Sequence, residues 1–591
     1  MNLRVGHSRL AAAVLLPLLV VVLACRPVPP APKEPAVAPT VAPVAKDAQP
    51  KVSEPPATDP RQAAPKVAAD AAVKTGGIAI IAHREDPPAS WDPMFQTSIS
   101  LAHVAGSVNG DGVLVRPCRE DIYKVCPALA ESWSNNPEFT FKLRDGVLWH
   151  DGTPLTAEDI RWWVDLAYNG VKVGDKSRPA SRFKAYFGDL ASVEAPDPRT
   201  VRFAMKNPTP YFLDLIASRN VVLAHPRYLM DPKIKAGEVM VSPADVGYVS
   251  VGPFKVDKVE KGSVVQVRKF DKYWEKDAQG KPLPYLDGID FPIINDLSAV
   301  VAAFRSGRLD GGTRGLGFTL KPEQKDSLKQ ALGEGVWFAE LGGQRETLWF
   351  NTLRDTPLKD VRVRKAVSLA INKREGILAV ESGNAFLSTL QNPKSPWPNP
   401  EWLTWPGYNE STIVQDRAEA KRLLAEAGLE NGFETTLFGQ RSWQAEHEWL
   451  QGQLATVGIK ASLDLVDVAT YNERAARKDF NLQTGKGATI TFPEGLSVLI
   501  NQLSLANNAF AVHEDPKVAE FFTRFDKAKT LEERVPIYRE MEKYVLQDQV
   551  YGVVLYDQIQ TIPYRSHVKG MMLPAEDITA NLSFATVWLD K

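Results

Sequence analysis

The sequence has few cysteines and no excess of either charge. It contains three cysteines in 591 residues, and its 70 basic and 71 acidic side chains give a net charge of −1. This balance supplies no electrostatic footprint for nucleic acid and no polybasic membrane surface. Beyond the first residues, no apolar run approaches the roughly 20 residues that a membrane-spanning helix needs. We therefore expect a body that does not cross the membrane.

Recognised catalytic and cofactor motifs are also missing. The eight histidines are scattered singly, and no HExxH, GxSxG, Walker A, CxxC or strand-to-helix GxGxxG pattern occurs. The adjacent pair His150 and Asp151 resembles an acid/base pair, but neighbours at a strand end point to opposite faces. We therefore predict no catalytic site, no metal site and no cofactor.

The N-terminus has the pattern of an exported, lipid-anchored chain. Basic residues precede about fifteen mostly apolar residues, as in a secretory signal. The run ends in Val22-Leu23-Ala24-Cys25, which resembles a bacterial lipobox. This motif predicts a signal peptide over residues 1–24 and lipidation of Cys25, with several acyl chains forming a stable anchor. The alternative is an ordinary cleaved signal with a chance cysteine.

Residues 25–75 are rich in proline and alanine and lack aromatic side chains. Such a segment cannot bury enough apolar surface to offset its ordering entropy, so we predict a disordered stalk. The other two cysteines, Cys118 and Cys126, would face an oxidising compartment after export. A local disulfide and two free buried thiols are the open alternatives.

Strand and helix patterns alternate from Gly76 onward without a fixed repeat, which predicts a mixed α/β fold. Alternation over 139–143 predicts a strand that pairs, through an Asp-Gly turn, with 147–150. Thr156 and Asp159 have capping-box spacing before a helical pattern. An apolar strand is predicted at 550–556, close to the end of the chain.

Several ordered segments together resemble one protein family, the family-five extracellular solute-binding proteins of peptide and nickel ABC importers. The segments with this resemblance are PALAESW (127–133), FTFKLRDGVLWHDGTPLTAEDI (139–160), VGPFKV (251–256), RKFDKYWEK (268–276), YLDGIDF (285–291), FRSGRLD (304–310), LWFNT (348–352), VRVRKAVSLAIN (361–372) and AKRLLAEAGLENGFE (420–434). The resemblance covers nearly the whole predicted body.

The resemblance implies a type II periplasmic-binding-protein fold with three lobes and a ligand cleft between lobes one and three. Lobe one would comprise 76–108, 249–318 and 553–591, lobe two 109–248, and lobe three 319–552. A ligand that touches both lobes of the cleft would favour closure by its differential affinity for the closed state. The protein would then be a receptor and not an enzyme.

The resemblance also implies ligand-binding positions. Dipeptide receptors of the family carry a Gln-Arg after a lobe-three strand, and here Arg441 follows Gln440. A guanidinium can bind a ligand carboxylate with two hydrogen bonds, although a solvated surface arginine is an equal alternative. Farther on, peptide receptors have a pattern close to G-W-x-A-D, whose aspartate pairs with the peptide amino terminus. The corresponding residues are Gly485, Lys486, Gly487, Ala488 and Thr489.

Two of these positions depart from the peptide-receptor pattern. Thr489 cannot neutralise an ammonium group, so ordinary recognition of a free peptide N-terminus is impaired. Lys486 either turns this end of the cleft toward anionic or neutral ligands or points into solvent. The ligand class therefore stays broader than peptides alone.

These patterns together predict a lipid-anchored substrate-binding protein of an ABC importer. It would bind a peptide or another small organic solute at the periplasmic face of the inner or outer membrane, as a monomer, and deliver it to an inner-membrane permease. The alternative is a surface lipoprotein of the same fold that senses or presents a ligand. A hydrolase is disfavoured because no catalytic constellation is present.

Overall fold

A computed structural model of the chain describes most of the body. The described residues are 72–87, 91–92, 99–110, 112–118, 124–135, 138–181, 184–187, 190–206, 209, 212–217, 224–313, 319–488, 503, 510–571 and 584–591. The predictions for the signal peptide, Cys25 and nearly all of the stalk concern residues outside these ranges. Within these ranges, no helix is long and apolar enough to cross a bilayer.

The strands occupy two sizeable sheets and several small ladders. In chain order they are β1 Ile78–Ala82, β2 Val115–Pro117, β3 Val125–Pro127, β4 Ala130–Asn135, β5 Phe139–Leu143, β6 Val171–Val173, β7 Lys176–Arg178, β8 Leu190–Asp197, β9 Thr200–Met205, β10 Phe254–Glu260, β11 Val264–Lys269, β12 Gly288–Pro292, β13 Gly311–Gly312, β14 Val336–Phe350, β15 Ala385–Phe386, β16 Phe433–Gln440, β17 Ile459–Val466, β18 Leu482–Ala488, β19 Gly552–Arg565, β20 Val568–Lys569 and β21 Trp588–Leu589.

The α-helices lie between and beside these strands. They are α1 Ile99–Asn109, α2 Ala157–Asn169, α3 Phe212–Ala217, α4 Arg227–Lys235, α5 Leu297–Arg305, α6 Pro322–Leu332, α7 Val361–Ala370, α8 Lys373–Glu381, α9 Ile413–Glu426, α10 Gln444–Ala455, α11 Val468–Ala476, α12 Pro516–Lys527 and α13 Leu531–Lys543. The mixed α/β architecture predicted from the alternating patterns is therefore present.

One 11-stranded sheet contains both the first strand, β1, and the long strand β19 near the C-terminus. Its order is β10-β11-β12-β1-β13-β19-β14-β18-β16-β17, with β15 beside β19. The first strand, β1, pairs in parallel with β12 and β13. The C-terminal strand is longer than predicted, because Gly552–Arg565 continues along β14 well beyond residue 556.

The smaller sheet has the order β4-β5-β9-β8. Helix α2 begins with the predicted capping box, in which the Asp159 carboxylate accepts the Thr156 backbone N–H at 2.9 Å. The predicted pairing of 139–143 with 147–150 is wrong: β5 pairs with β4 and β9, and residues 147–150 fold back on 153–155 around the second Asp-Gly turn. Tertiary pairing outweighed the local turn signal.

Cys118 and Cys126 form a disulfide beside the short β2–β3 ladder. Their Cα atoms lie 4.9 Å apart, and the bond closes a loop with a sequence separation of 8. Cys126 itself lies in β3, directly opposite Arg116 of β2. The bond therefore reinforces a ladder of only three residue pairs.

Three large hydrophobic cores account for most of the buried apolar surface of the described residues. One lies around the smaller sheet and α2, with members between 114 and 251. A second contains residues of β1, β11 and β12 together with residues near the C-terminus. The third contains α7, α9, α10, α12 and α13 packed on β14, β16, β18 and β19.

Two strands, β14 and β19, contribute to both the second and the third core. Ala339 and Ile562 belong to the second core, whereas Leu348 and Val554 belong to the third. The two strands pair antiparallel along nearly their full length, with a register shift between Gly342 and Arg345. The crossing from one core to the other is thus a continuous two-stranded ladder with an irregularity near its middle.

A fully buried ion pair lies at this irregularity. The Arg345 Nε and the Asp557 Oδ1 are 3.0 Å apart, and both side chains are 0% exposed. Asp557 also accepts the Ser388 hydroxyl at 3.0 Å, and Arg345 donates to the Leu390 carbonyl. Because every partner is buried, removal of one charge would leave the other without its hydrogen-bonded counter-ion.

Replacement of Asp557 by asparagine should therefore destabilise the protein by about 3–5 kcal/mol, because the Arg345 charge would stay buried without its counter-ion. Thermal unfolding monitored by circular dichroism measures this as a lower Tm. The matched control is Glu419→Gln, which breaks an ion pair to Arg422 whose side chains are 43% and 54% exposed. That change should leave the Tm nearly unchanged, because solvent screens the exposed pair. Equal Tm values for the two variants would contradict the prediction.

Candidate functional site

The candidate site lies at the edge of the large sheet where β16 and β18 end. These strands run parallel, with Leu437 opposite Leu482 and Phe438 opposite Gln483. In open α/β sheets, ligands bind beyond the carboxyl ends of parallel strands, where loops and helix starts converge. This edge is therefore the first place to examine for a ligand site.

Arg441 follows β16 directly, in a short turn before α10. Its guanidinium is exposed and contacts the Leu465 carbonyl at 3.4 Å. Arg441 lies four residues beyond Leu437, and Lys486 lies four residues beyond the paired Leu482. The ladder thus carries both predicted positions to the same edge of the sheet.

The segment 485–488 forms the end of β18 and pairs with β14. Lys486 lies directly opposite Glu346 in the antiparallel ladder, and Gly487 lies opposite Arg345. Position 489 lies outside the described residues. Because Arg345 also binds Asp557, the candidate site and the crossing strands share one stretch of β14.

A series of hydrogen bonds links α10 to β18 at this edge. His447 of α10 contacts the Trp443 carbonyl through Nδ1 at 2.8 Å and the Thr484 hydroxyl through Nε2 at 2.9 Å. When Nδ1 donates its hydrogen bond to the Trp443 carbonyl, Nε2 accepts a hydrogen bond from the Thr484 hydroxyl. The imidazole fits because residue 439 is glycine: a Cβ there would lie 2.0 Å from His447 Nε2.

Aromatic rings line the same region. The Tyr471 hydroxyl donates to the Thr484 carbonyl at 2.8 Å, and its ring stacks on Phe438 with centroids 5.2 Å apart. Trp443, which is half-buried, meets the Tyr471 ring edge-on at 5.3 Å. Half-buried aromatic surface of this kind can take up an organic side chain, whereas the hydrogen bonds hold its position.

Two buried carboxylates lie in the same region and were not among the predicted site residues. Glu346 is 0% exposed and Glu446 is 2% exposed. Burial raises the pKa of Tyr471, and the charges of Glu446 and then Glu346 raise it further. The available sequence signal was a glutamate inside the apolar strand pattern around LWF, because a charge in a central strand needs a partner.

No group of three or more His, Cys, Asp or Glu side chains in the described part of the chain could hold a metal ion. The side chains at this edge provide hydrogen bonds, charge and aromatic contacts. Such a set suits binding of an organic solute.

Comparison with known families decides the classification. The model of the family described as "Bacterial extracellular solute-binding proteins, family 5 Middle" matches residues 124–510. The chain belongs to this family. The resemblance predicted from the ordered motifs is therefore confirmed, and the candidate edge lies inside a solute-binding protein.

Curated relatives and solved structures agree with this assignment. The glutathione-binding protein GsiB of Escherichia coli is 27% identical over 457 residues, covering 72% of this chain and 79% of the relative. DppA of Helicobacter pylori, solved in complex with the peptide STSA, superposes with a TM-score of 0.69 at 21% identity, covering 88% of this chain and 99% of DppA.

A further structural relative extends the comparison. The periplasmic binding protein AgaA of A. tumefaciens, in complex with agropinic acid, gives a TM-score of 0.67 at 22% identity, covering 87% of this chain and 99% of AgaA. The predicted type II periplasmic-binding-protein fold is confirmed by these superpositions.

Replacement of Gly439 by alanine should lower the stability of this solute-binding protein by about 1–3 kcal/mol, because the new Cβ would overlap the His447 ring and force it away from Thr484. Thermal unfolding provides the measurement. Gly452→Ala is the matched control, since a Cβ at this position in α10 meets nothing within 4 Å. It should be neutral or stabilising by up to about 1 kcal/mol. A neutral Gly439→Ala variant would contradict the proposed packing.

Proposed function

We propose that this protein is the substrate-binding component of an ABC importer and that it captures peptides or a related organic solute. The observation that supports this function most strongly is the two-stranded β14–β19 ladder, which joins two separate hydrophobic cores next to the candidate ligand edge. Hinge closure of two bodies around a ligand changes the backbone where the chain crosses between them, and here the crossing strands are β14 and β19. The family membership and the names of the relatives support the same function.

The proposed closing bodies are lobes one and three. Lobe one comprises 76–108, 249–318 and 553–591, lobe three comprises 319–552, and lobe two, 109–248, packs beside lobe one. The second and third cores described above fall largely within these bounds. A ligand favours closure by the difference between its affinities for the closed and open states, and no bond is made or broken.

Arg441 is the proposed carboxylate contact. Its guanidinium is exposed at the candidate edge, with one long contact to a carbonyl, so it retains donors for a ligand. Residues 486–489 form the proposed opposite end of the binding region. Because position 489 is threonine where peptide receptors carry aspartate, a ligand with a free ammonium group gains no ion pair there.

The closed, loaded form is the proposed species that a membrane permease recognises. Lipidation at Cys25 and a stalk over residues 25–75 would keep the body at the periplasmic face of the cell envelope, within reach of that permease. This arrangement would raise the encounter rate with a membrane partner compared with free diffusion.

Arg441→Ala should weaken binding of a dipeptide with a free carboxyl terminus by about 2 kcal/mol, roughly thirtyfold in Kd, because two charge-assisted hydrogen bonds are lost. Isothermal titration calorimetry measures the change. The same dipeptide as its C-terminal amide should bind wild type and variant alike. Arg477→Ala, at an exposed arginine paired with Glu473, is the control and should leave the affinity unchanged. Equal loss for acid and amide would remove Arg441 from carboxylate recognition.

A separate experiment tests whether the protein serves an importer. Native mass spectrometry of gently purified protein identifies a trapped solute, and that solute should raise the Tm of the protein by binding its folded state. Deletion of the gene should then abolish uptake of the identified solute. Turnover of the solute by purified protein, or normal uptake after deletion, would contradict the proposal.

Cys25→Ser should abolish incorporation of labelled palmitate into the membrane-bound protein, because the thiol that carries the diacylglyceryl group is lost. Labelling in cells followed by fractionation gives the readout. Thr40→Ser, within the predicted stalk, is the control and should be labelled normally. Undiminished labelling of the Cys25 variant would show that the anchor lies elsewhere.

A further inference from the structure

A second site candidate lies far from the proposed ligand edge, beyond the end of β19. There an open basin of about 500 Å³ lies between the end of α5, the start of β14 and the C-terminal residues. Its lining includes Arg305, Arg565, His567 and Lys591, with Asp310 as its one acidic side chain. Basic groups thus outnumber acidic groups four to one around this basin.

The Asp310 carboxylate already has three hydrogen-bond partners. Asp310 accepts the Ile80 backbone N–H at 2.8 Å and contacts His567 Nε2 at 2.6 Å. Lys591 Nζ donates to the same carboxylate at 2.9 Å, and these contacts hold the pKa of Asp310 below its usual range despite burial. This one carboxylate therefore contacts Lys591 and His567, and it forms no ion pair with either arginine.

Each of the two arginines donates a hydrogen bond to a neighbouring group of the protein. Arg565 donates to the Phe304 carbonyl and, at 3.2 Å, to the Arg305 carbonyl at the end of α5. Its ring contact with Phe304, 4.9 Å from guanidinium carbon to centroid, restrains it further. Arg305 donates to the Ser327 hydroxyl of α6 at 2.6 Å. Guanidinium groups held in this way lose little conformational entropy when an anion binds.

We infer that this basin binds a phosphate group. A tetrahedral phosphate offers several charged oxygen acceptors, which match donors arriving from different directions better than a planar carboxylate does. The Ser566 hydroxyl in the lining adds a neutral donor beside the basic groups. The phosphate belongs either to a lipid headgroup or to a free phosphate compound.

The basin also lies beside the segment that joins the body to the preceding chain. Lys74 binds the Asp590 carboxylate at 2.8 Å and donates to the Lys591 carbonyl at 3.1 Å. The lipid anchor proposed at Cys25 would make lipid headgroups one source of phosphate within reach of the tethered body. Only this choice of phosphate source depends on the proposed lipid anchor, whereas the basin itself does not.

The test uses the full chain carrying Cys25→Ser, so that acyl chains do not contribute to binding. One arm measures co-sedimentation with phosphatidylglycerol vesicles, with phosphatidylcholine vesicles reporting any insertion of the apolar N-terminus. The second arm titrates inorganic phosphate and pyrophosphate by calorimetry. Arg305→Gln with Lys591→Gln removes two basin charges, and Lys421→Gln with Lys460→Gln removes two charges on exposed residues outside the basin. His567→Gln provides an independent single variant.

Binding in either arm should weaken about tenfold in the basin double variant, weaken in His567→Gln, and persist in the control double variant. High salt should reduce it as well. Vesicle binding alone assigns the phosphate to a lipid headgroup, and binding in the calorimetric arm assigns it to a free phosphate compound. Equal binding by both double variants, or no binding of any probe, would overturn the inference. A failed palmitate-labelling experiment at Cys25 would leave the calorimetric arm unaffected.

Discussion

The antiparallel ladder between β14 and β19 connects two of the large hydrophobic cores and constrains how they are joined. These strands are the longest in the described part of the chain, with 15 and 14 residues, and each contributes side chains to two different cores. At the register shift between the two halves, the ladder buries the Arg345–Asp557 ion pair. A buried ion pair is weak evidence for net stability, but its loss on one side is costly. It therefore restricts how the strands can pair at the crossing.

The same constraint positions the candidate ligand edge. Residues 344–350 of β14 pair with β18 on one side and with β19 on the other, so the end of β18 is placed by the crossing ladder. Gly343 is required nearby, because a Cβ there would lie 2.8 Å from atoms of Gln558. A ligand bound at the end of β18 would lie beside β14, one of the two strands that connect the cores. The proposed binding and the proposed closure would then involve the same strand.

Local signals in the sequence were reliable where their partners are local. Thr156 and Asp159 form the predicted capping box because both residues belong to one helical turn. The pairing of 139–143 with 147–150 was wrong because strand partners are chosen by burial over long separations: β5 found β9, about sixty residues downstream. Glu346 and Glu446 were missed for the same reason, since residues a hundred positions apart come together only through the sheet and α10.

Ordered motifs, composition and local spacing in the sequence correctly predicted the family and the α/β fold class, whereas the exported, lipid-anchored N-terminus stays a prediction. Which side chains lie close together in space was determined by the tertiary structure. It bonded Cys118 to Cys126, carried Arg441 and Lys486 to one sheet edge, and gathered four basic groups around a basin near the chain end. The physical reason is that burial and charge compensation act between residues close in space, whatever their separation along the chain.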